Sequence, residues 1–90
     1  MLLEGYIIRS HSIVAGASAA DEDLEGLVKW VSIYAKGADI RFSLTGTATS
    51  TSMFIGSGER LSFRIPFPGV SLSCIRDAST TGSLEVIEYG

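Results

Sequence analysis

Between residues 53 and 65 the chain reads MFIGSGERLSFRI, two short apolar runs on either side of a glycine-bracketed turn. In the second run Leu61, Phe63 and Ile65 alternate with Ser62 and Arg64. Successive side chains of a strand point to opposite faces, so a period of two marks a strand with one face in the core and the other in water. Glycine reaches the positive-φ conformations that other residues avoid, which suits Gly56-Ser57-Gly58-Glu59-Arg60 to a hairpin connection. The stretch predicts the central hairpin of a small β-sandwich or barrel, with Leu61, Phe63 and Ile65 as core and Glu59 and Arg60 solvating the tip.

The same punctuation recurs along the chain. A first strand is expected over residues 4–9, around Tyr6-Ile7-Ile8, and Ile13-Val14-Ala15 either continues it or opens a second. Residues 18–37 admit two readings. Leu24, Leu27, Val28, Val31 and Ala35 recur at helical spacing, and Ser18 with Asp21 resembles a capping arrangement. Against this, residues 28–35 are dense in β-branched and aromatic residues. They also alternate, with Trp30, Ser32 and Tyr34 on one face and Val31, Ile33 and Ala35 on the other. We read residues 28–35 as strand and place one helical turn near residues 20–25, leaving open whether residues 18–27 are helical.

Lys36-Gly37-Ala38-Asp39 then reads as a hairpin turn into the alternating segment 40–44. Thr45 to Ser52, TGTATSTS, is expected to be a connecting loop whose hydroxyls satisfy its own backbone, with an exposed polar contact surface as the second reading. Pro66-Phe67-Pro68-Gly69 is a sharp break, because proline cannot donate to a strand ladder. Strands follow at 70–76 and 83–89, the last with Leu84 and Val86 inward and Glu85 outward. About six to eight short strands separated by Gly, Pro, Ser, Thr and Asp predict one all-β domain over residues 1–90. The expected fold is a small antiparallel β-sandwich or barrel, jelly-roll-like.

A chain of 90 residues buries only about 60–65% of its unfolded surface, so its stability is marginal without further support. Cys74 is the single cysteine, which excludes an internal disulfide, and its strand-like surroundings predict a buried, inert thiol. Oligomerisation is the most available extra stabilisation. Seven basic against ten acidic residues give a net charge of −3, which argues against a nucleic-acid footprint. The acidic run Asp21, Glu22, Asp23 and Glu25 reads as a solvated loop or a first helical turn, since its spacing is not that of a calcium-binding EF-hand. No positively charged, apolar leader opens the chain, and no apolar run approaches the eighteen or so residues of a membrane span. The expectation is a soluble protein, cytoplasmic or assembled into a larger particle.

Catalytic chemistry is hard to find. A hydrolytic nucleophile needs an adjacent base, and the only histidine, His11, reads as a solvent-facing residue near a strand end. One histidine and one cysteine fall short of a zinc site. Gly56-x-Gly58 lacks the third glycine and the lysine of a phosphate cradle. Arg76-Asp77 and Glu85 with Glu88 offer paired carboxylates for acid–base work on glycosides, but they read as surface charge on edge strands. No catalytic, cofactor-binding or metal-binding residue is assigned, and no cofactor is expected.

One set of short motifs carries a resemblance. Residues 30–35 (WVSIYA), Ala38-Asp39-Ile40, Thr47-Ala48-Thr49, Ser52-Met53 and Gly58-Glu59 are followed by Phe63-Arg64-Ile65, Ile75-Arg76-Asp77 and residues 82–86 (GSLEV). Over roughly residues 28–90 this succession resembles a group of small β-rich proteins encoded among the virion genes of tailed phages. It departs from them at Gly56-Ser57-Gly58, where a proline-containing turn is expected, and the acidic segment has no counterpart. The resemblance implies a virion accessory or head-associated role and supplies no catalytic residues.

Two functions follow as expectations. The first is a non-catalytic structural or assembly protein of a phage-like virion that forms a homo-oligomer and docks on other virion proteins, with no nucleic acid and no membrane as partner. Trp30, Tyr34 and Tyr89 are its candidate interface residues, because aromatics are enriched at interfaces. For Trp30 the sequence leaves core and interface equally open. The second is a β-sandwich module that binds a glycan or other small polar ligand. It requires a concave pocket in which Trp30 or Tyr34 stacks on the ligand and Asp39, Arg41 or Arg76 hydrogen-bonds it.

Overall fold

The computed structural model describes residues 6–90. Within them lie eight strands and no helix: β1 (Ile7–Ala15), β2 (Ala20–Asp23), β3 (Trp30–Lys36), β4 (Ile40–Ser43), β5 (Met53–Ile55), β6 (Arg60–Arg64), β7 (Ser71–Arg76) and β8 (Gly82–Tyr89). Glu4 and Gly5, where the first predicted strand begins, lie outside the described residues; β1 runs without a break through Ile13-Val14-Ala15.

The topology follows from one fold-back. The chain reverses in the loop between β4 and β5, and the two arms pair along their whole length: β4 with β5, β3 with β6, β2 with β7, and β1 with β8, all antiparallel. At each corner both arms cross together from one layer to the other. The winding then lays β8 beside β3 and β7 beside β4. Two four-stranded sheets result: sheet A, in the order β1-β8-β3-β6, and sheet B, in the order β2-β7-β4-β5.

This winding corrects three sequence readings. Residues 53–65 are not a hairpin: β5 belongs to sheet B and pairs with β4, whereas β6 belongs to sheet A and pairs with β3. Residues 56–59 form a corner, and it is tied to the other arm, with Gly58 N donating to Ala35 O at 2.8 Å. Lys36-Gly37-Ala38-Asp39 is likewise a corner between sheets. Alternation specifies that a segment is a strand and which side faces the core, but not its partner, and the same turn residues serve corner and hairpin alike. The helical turn near residues 20–25 is also absent. β2 occupies most of that span, and the apparent helical stripe breaks at Leu27, which is exposed between buried Leu24 and Val28.

The core lies between the sheets. Ile13, Val31, Ile33, Leu84 and Val86 come from sheet A, and Ile40, Phe42, Ile55, Leu72 and Cys74 from sheet B. Leu24, Val28, Ile65 and Val70, from the connections, complete it. Each large side chain buried in this way contributes about 1.5–3 kcal/mol. The Ser/Thr-rich 45–52 loop satisfies its own backbone as expected, with Thr49 N donating to Ser52 Oγ at 2.9 Å and Thr45 N to Ser43 Oγ at 3.1 Å. It also covers part of the outer face of sheet B, over β7. Ala48 is buried there, and its N donates to Ser73 Oγ at 2.8 Å.

β8 starts where it passes under the 36–38 corner. A Cβ on Gly82 would lie 2.6 Å from the Lys36 carbonyl oxygen and 2.9 Å from Ala38 Cβ, closer than unbonded atoms approach. Gly82→Ala therefore destabilises the fold by about 1–3 kcal/mol, the typical cost of overpacking. Gly26→Ala meets nothing within 4 Å and changes stability by less than about 0.5 kcal/mol. Midpoints of urea unfolding for the two variants measure the contrast.

Candidate functional site

The alternation of β3 settles where the candidate interface residues go. Val31, Ile33 and Ala35 fill the core, so Trp30, Ser32 and Tyr34 point outward from sheet A. Tyr89 stands directly beside Trp30 in the β3–β8 register, so all three candidate aromatics share one outer face. Trp30 is 37% exposed, which resolves the open question in favour of surface over core.

Arginines from the edge strand β6 complete this face. Trp30 pairs with Arg64 and Tyr34 with Arg60 across the β3–β6 ladder. The Arg64 guanidinium lies over the Trp30 ring, 5.4 Å from its centroid, and that of Arg60 over Tyr34 at 5.2 Å. Such contacts contribute about 0.5–1 kcal/mol at exposed sites. Arg60 also donates to Ser32 Oγ at 2.9 Å, so it does more than solvate a turn. On the far side of the face Glu85 accepts from Ser12 Oγ at 2.6 Å and Ser83 Oγ at 2.9 Å. These two hydroxyls hold the Glu85 carboxyl below the usual carboxylate range, so it stays ionised at neutral pH. Positive charge thus lines one edge of the face, and a fixed negative charge stands two strands away.

A second cluster, which the sequence reading missed, points inward. Glu88 is fully buried, and it is on a central strand of sheet A, not an edge. Its Oε2 accepts from Arg9 Nε at 2.8 Å and Nη2 at 2.7 Å and contacts His11 Nε2, and its Oε1 accepts from Glu25 N at 2.8 Å. His11 is therefore mostly buried and partnered, not solvent-facing. The Glu88 hydrogen bond holds Arg9 above its ordinary pKa. Glu22 and Glu25 also flank Arg9, at 3.9 and 3.6 Å, so the acidic run is drawn partly inward onto the arginine. The signal was present in the sequence. Glu88 continues the inward series Leu84, Val86, and Arg9 and His11 continue Ile13 and Ala15 backwards at the same period. Residue polarity hid it.

The residues proposed to bind a small ligand are already committed elsewhere. Asp39 accepts from Ser57 N at 2.8 Å, Arg41 donates to Asp77 at 2.7 Å and to Ser52 O at 3.0 Å, and Arg76 donates to Thr81 at 3.1 Å. Among the described residues, none of them lines a cavity with Trp30 or Tyr34. A cleft with an aromatic floor opens between the sheets at the β4–β5 end. It has a volume of about 410 Å³, with the stacked rings of Phe42 and Phe63 as its floor and Met53, Pro66, Thr45 and Thr51 around it. Among the described residues no group of His, Cys, Asp and Glu is arranged to hold a metal ion.

Two outcomes are expected from these contacts. Glu88→Gln removes the buried counter-charge of Arg9 and destabilises the protein by about 2–4 kcal/mol in denaturant titrations. That is toward the low end for breaking a buried pair, because Arg9 keeps partial access to water. Burial pushes the Cys74 thiol up to about 11, so near pH 8 it stays protonated. An aromatic disulfide reagent should label it only at the rate of unfolding, since the thiolate is the nucleophile.

Comparison with known proteins places the fold. No protein-family model matches the chain, and no curated protein matches it. Among solved structures it is similar to a de novo designed double-stranded β-helix, with a TM-score of 0.64 and 17% identity, covering 90% of this chain and 99% of that one. It is also similar to protein NMB1881 from Neisseria meningitidis, with a TM-score of 0.55 and 17% identity, covering 96% and 83% of the two chains. The third similarity is to PirA, with a TM-score of 0.56 and 13% identity, covering 88% and 92%. At these identities the likeness is one of fold: the chain is an all-β protein of two antiparallel sheets, wound like a double-stranded β-helix.

Proposed function

We propose that the protein is a non-catalytic assembly module, a structural component of a phage-like particle, and that it forms a homo-oligomer through the outer face of sheet A. The observation that carries this reading is the convergence of Trp30, Tyr34 and Tyr89 with Arg60 and Arg64 on one face. Trp, Tyr and Arg are the residue types that dominate binding energy at protein interfaces. The resemblance of residues 28–90 to small β-rich proteins of phage virions supports the particle, and the strand order, with its two Greek keys, supports a jelly-roll-like domain of the kind that packs in shells. A second reading, a ligand-binding module, has the Phe42–Phe63 cleft on its side, but there the aromatic floor is phenylalanine and no charged residue lines it.

Sedimentation across a wide concentration range tests the first reading. Reversible association is expected, and Trp30→Ala should weaken it by about tenfold or more, equivalent to about 1.4 kcal/mol, with little change in unfolding. A protein that stays monomeric at high concentration, or associates equally well without Trp30, would remove this reading.

A further inference from the structure

We infer that the outer face of sheet A binds the same face of a second copy, about a two-fold axis running parallel to its strands. The inference rests on the assembly reading of that face and goes beyond it by fixing the partner and the register. A two-fold interface must be complementary to itself, and for two sheets packed with their strands aligned the axis lies in the plane of the face, either along the strands or across them. With the axis in the plane of the face but perpendicular to the strands, β6 lies on β6, and Arg60 and Arg64 of the two copies crowd together. Like charges brought together in this way oppose association. With the axis parallel to the strands, between β8 and β3, the order β1-β8-β3-β6 is reversed across the contact. Then β6 lies on β1 and β3 lies on β8.

The ladder registers say what meets. Arg60, Tyr34, Glu85 and Ser12 stand at one level across the sheet. An axis parallel to the strands preserves level, so Arg60 of one copy comes down on the Ser12–Glu85 pair of the other, and Tyr34 on Glu85. Arg64, Trp30, Tyr89 and Ile7 share a second level. Here Trp30 meets Tyr89, and the aliphatic stem of Arg64 meets Ile7, which is 62% exposed. Packed sheets cross at about 30°. That tilt displaces the edge columns more than the central ones, so the β3–β8 contacts are kept. Glu85 is already fixed by two hydroxyls and ionised, which leaves it oriented for an incoming guanidinium. By symmetry the Arg60–Glu85 contact forms twice.

Reciprocity gives a specific test. Glu85→Arg and Arg60→Glu each place like charges at both contacts, so each variant alone should associate at least tenfold more weakly than the wild type. Mixed together they form a pair in which Arg60 faces Glu85 at one contact and the introduced arginine faces the introduced glutamate at the other. Sedimentation of the mixture, with one species fluorescently labelled, should therefore recover association that neither variant shows alone. Circular dichroism checks that each is folded, and Glu85→Gln serves in place of Glu85→Arg if that variant is not, with a smaller loss expected. Unchanged association of both charge variants, where Trp30→Ala still weakens it, would overturn the two-fold register and leave the assembly reading standing. Insensitivity to Trp30→Ala, or a monomeric wild type, would remove both.

Discussion

Pairing between the two arms of the chain is the constraint on which everything else depends. β1 finds β8 across more than sixty residues, and among the described strands only β4 and β5 are both consecutive and paired in a ladder. Each inner pair, once formed, shortens the loop that the next outer pair must close and so lowers the entropy its closure costs. The corners therefore carry structural weight. Gly58 N to Ala35 O, and Ala35 N to Glu59 O, tie the two arms together where both change sheets. At the Gly82 corner the Lys36 carbonyl passes so close that no side chain fits.

Winding gives each sheet an inner and an outer face, and the two outer faces have different fates. Over sheet B the β4–β5 loop folds back, buries Ala48 and occupies the Ser73 hydroxyl. No comparable segment among the described residues lies over sheet A, and its middle strand carries Trp30 and Tyr34 outward. The stacked arginines shield part of those exposed rings, because a guanidinium over the ring replaces part of its contact with water while remaining hydrated itself. The asymmetry of the molecule thus arises from one long loop.

How much of this the sequence made legible depends on whether a feature is local. The strands 28–35, 70–76 and 83–89 were visible because alternation is a property of neighbouring residues, and so was the shared face of Trp30 and Tyr34. Partnership was not visible: residues 53–65 look like a hairpin because Gly56 and Gly58 permit a tight turn, and nothing local distinguishes a turn within a sheet from a corner between sheets. The inward position of Glu88 was legible by period two but was overridden by its charge. A carboxylate is rarely buried without partners, and its partners, Arg9 and His11, lie almost eighty positions away. The assignment of Tyr89 to the same face as Trp30 also needed the β3–β8 register, which no local pattern contains.

The edges of the sheets explain why the face is the better route to assembly. An open strand edge is a template for pairing with another chain, and proteins blunt it with short strands, charges, proline or bulges. All four devices are present. β5 is three residues long, and β2 is four residues with Asp21 and Asp23 outward. β6 begins and ends with arginine and runs into Pro66 two residues later, and the β1 register is interrupted between Ile7 and Arg9. Edge-to-edge growth would therefore meet at least one of these obstacles at each edge strand. The outer face of sheet A has no such obstacle. Its aromatic groups stand on the two central strands, and exposed Ile7 and Val14 extend the apolar surface onto β1. Arg60 and Arg64 serve in both respects: as charges they discourage pairing along the β6 edge, and as planar cations on aromatic rings they belong to the face.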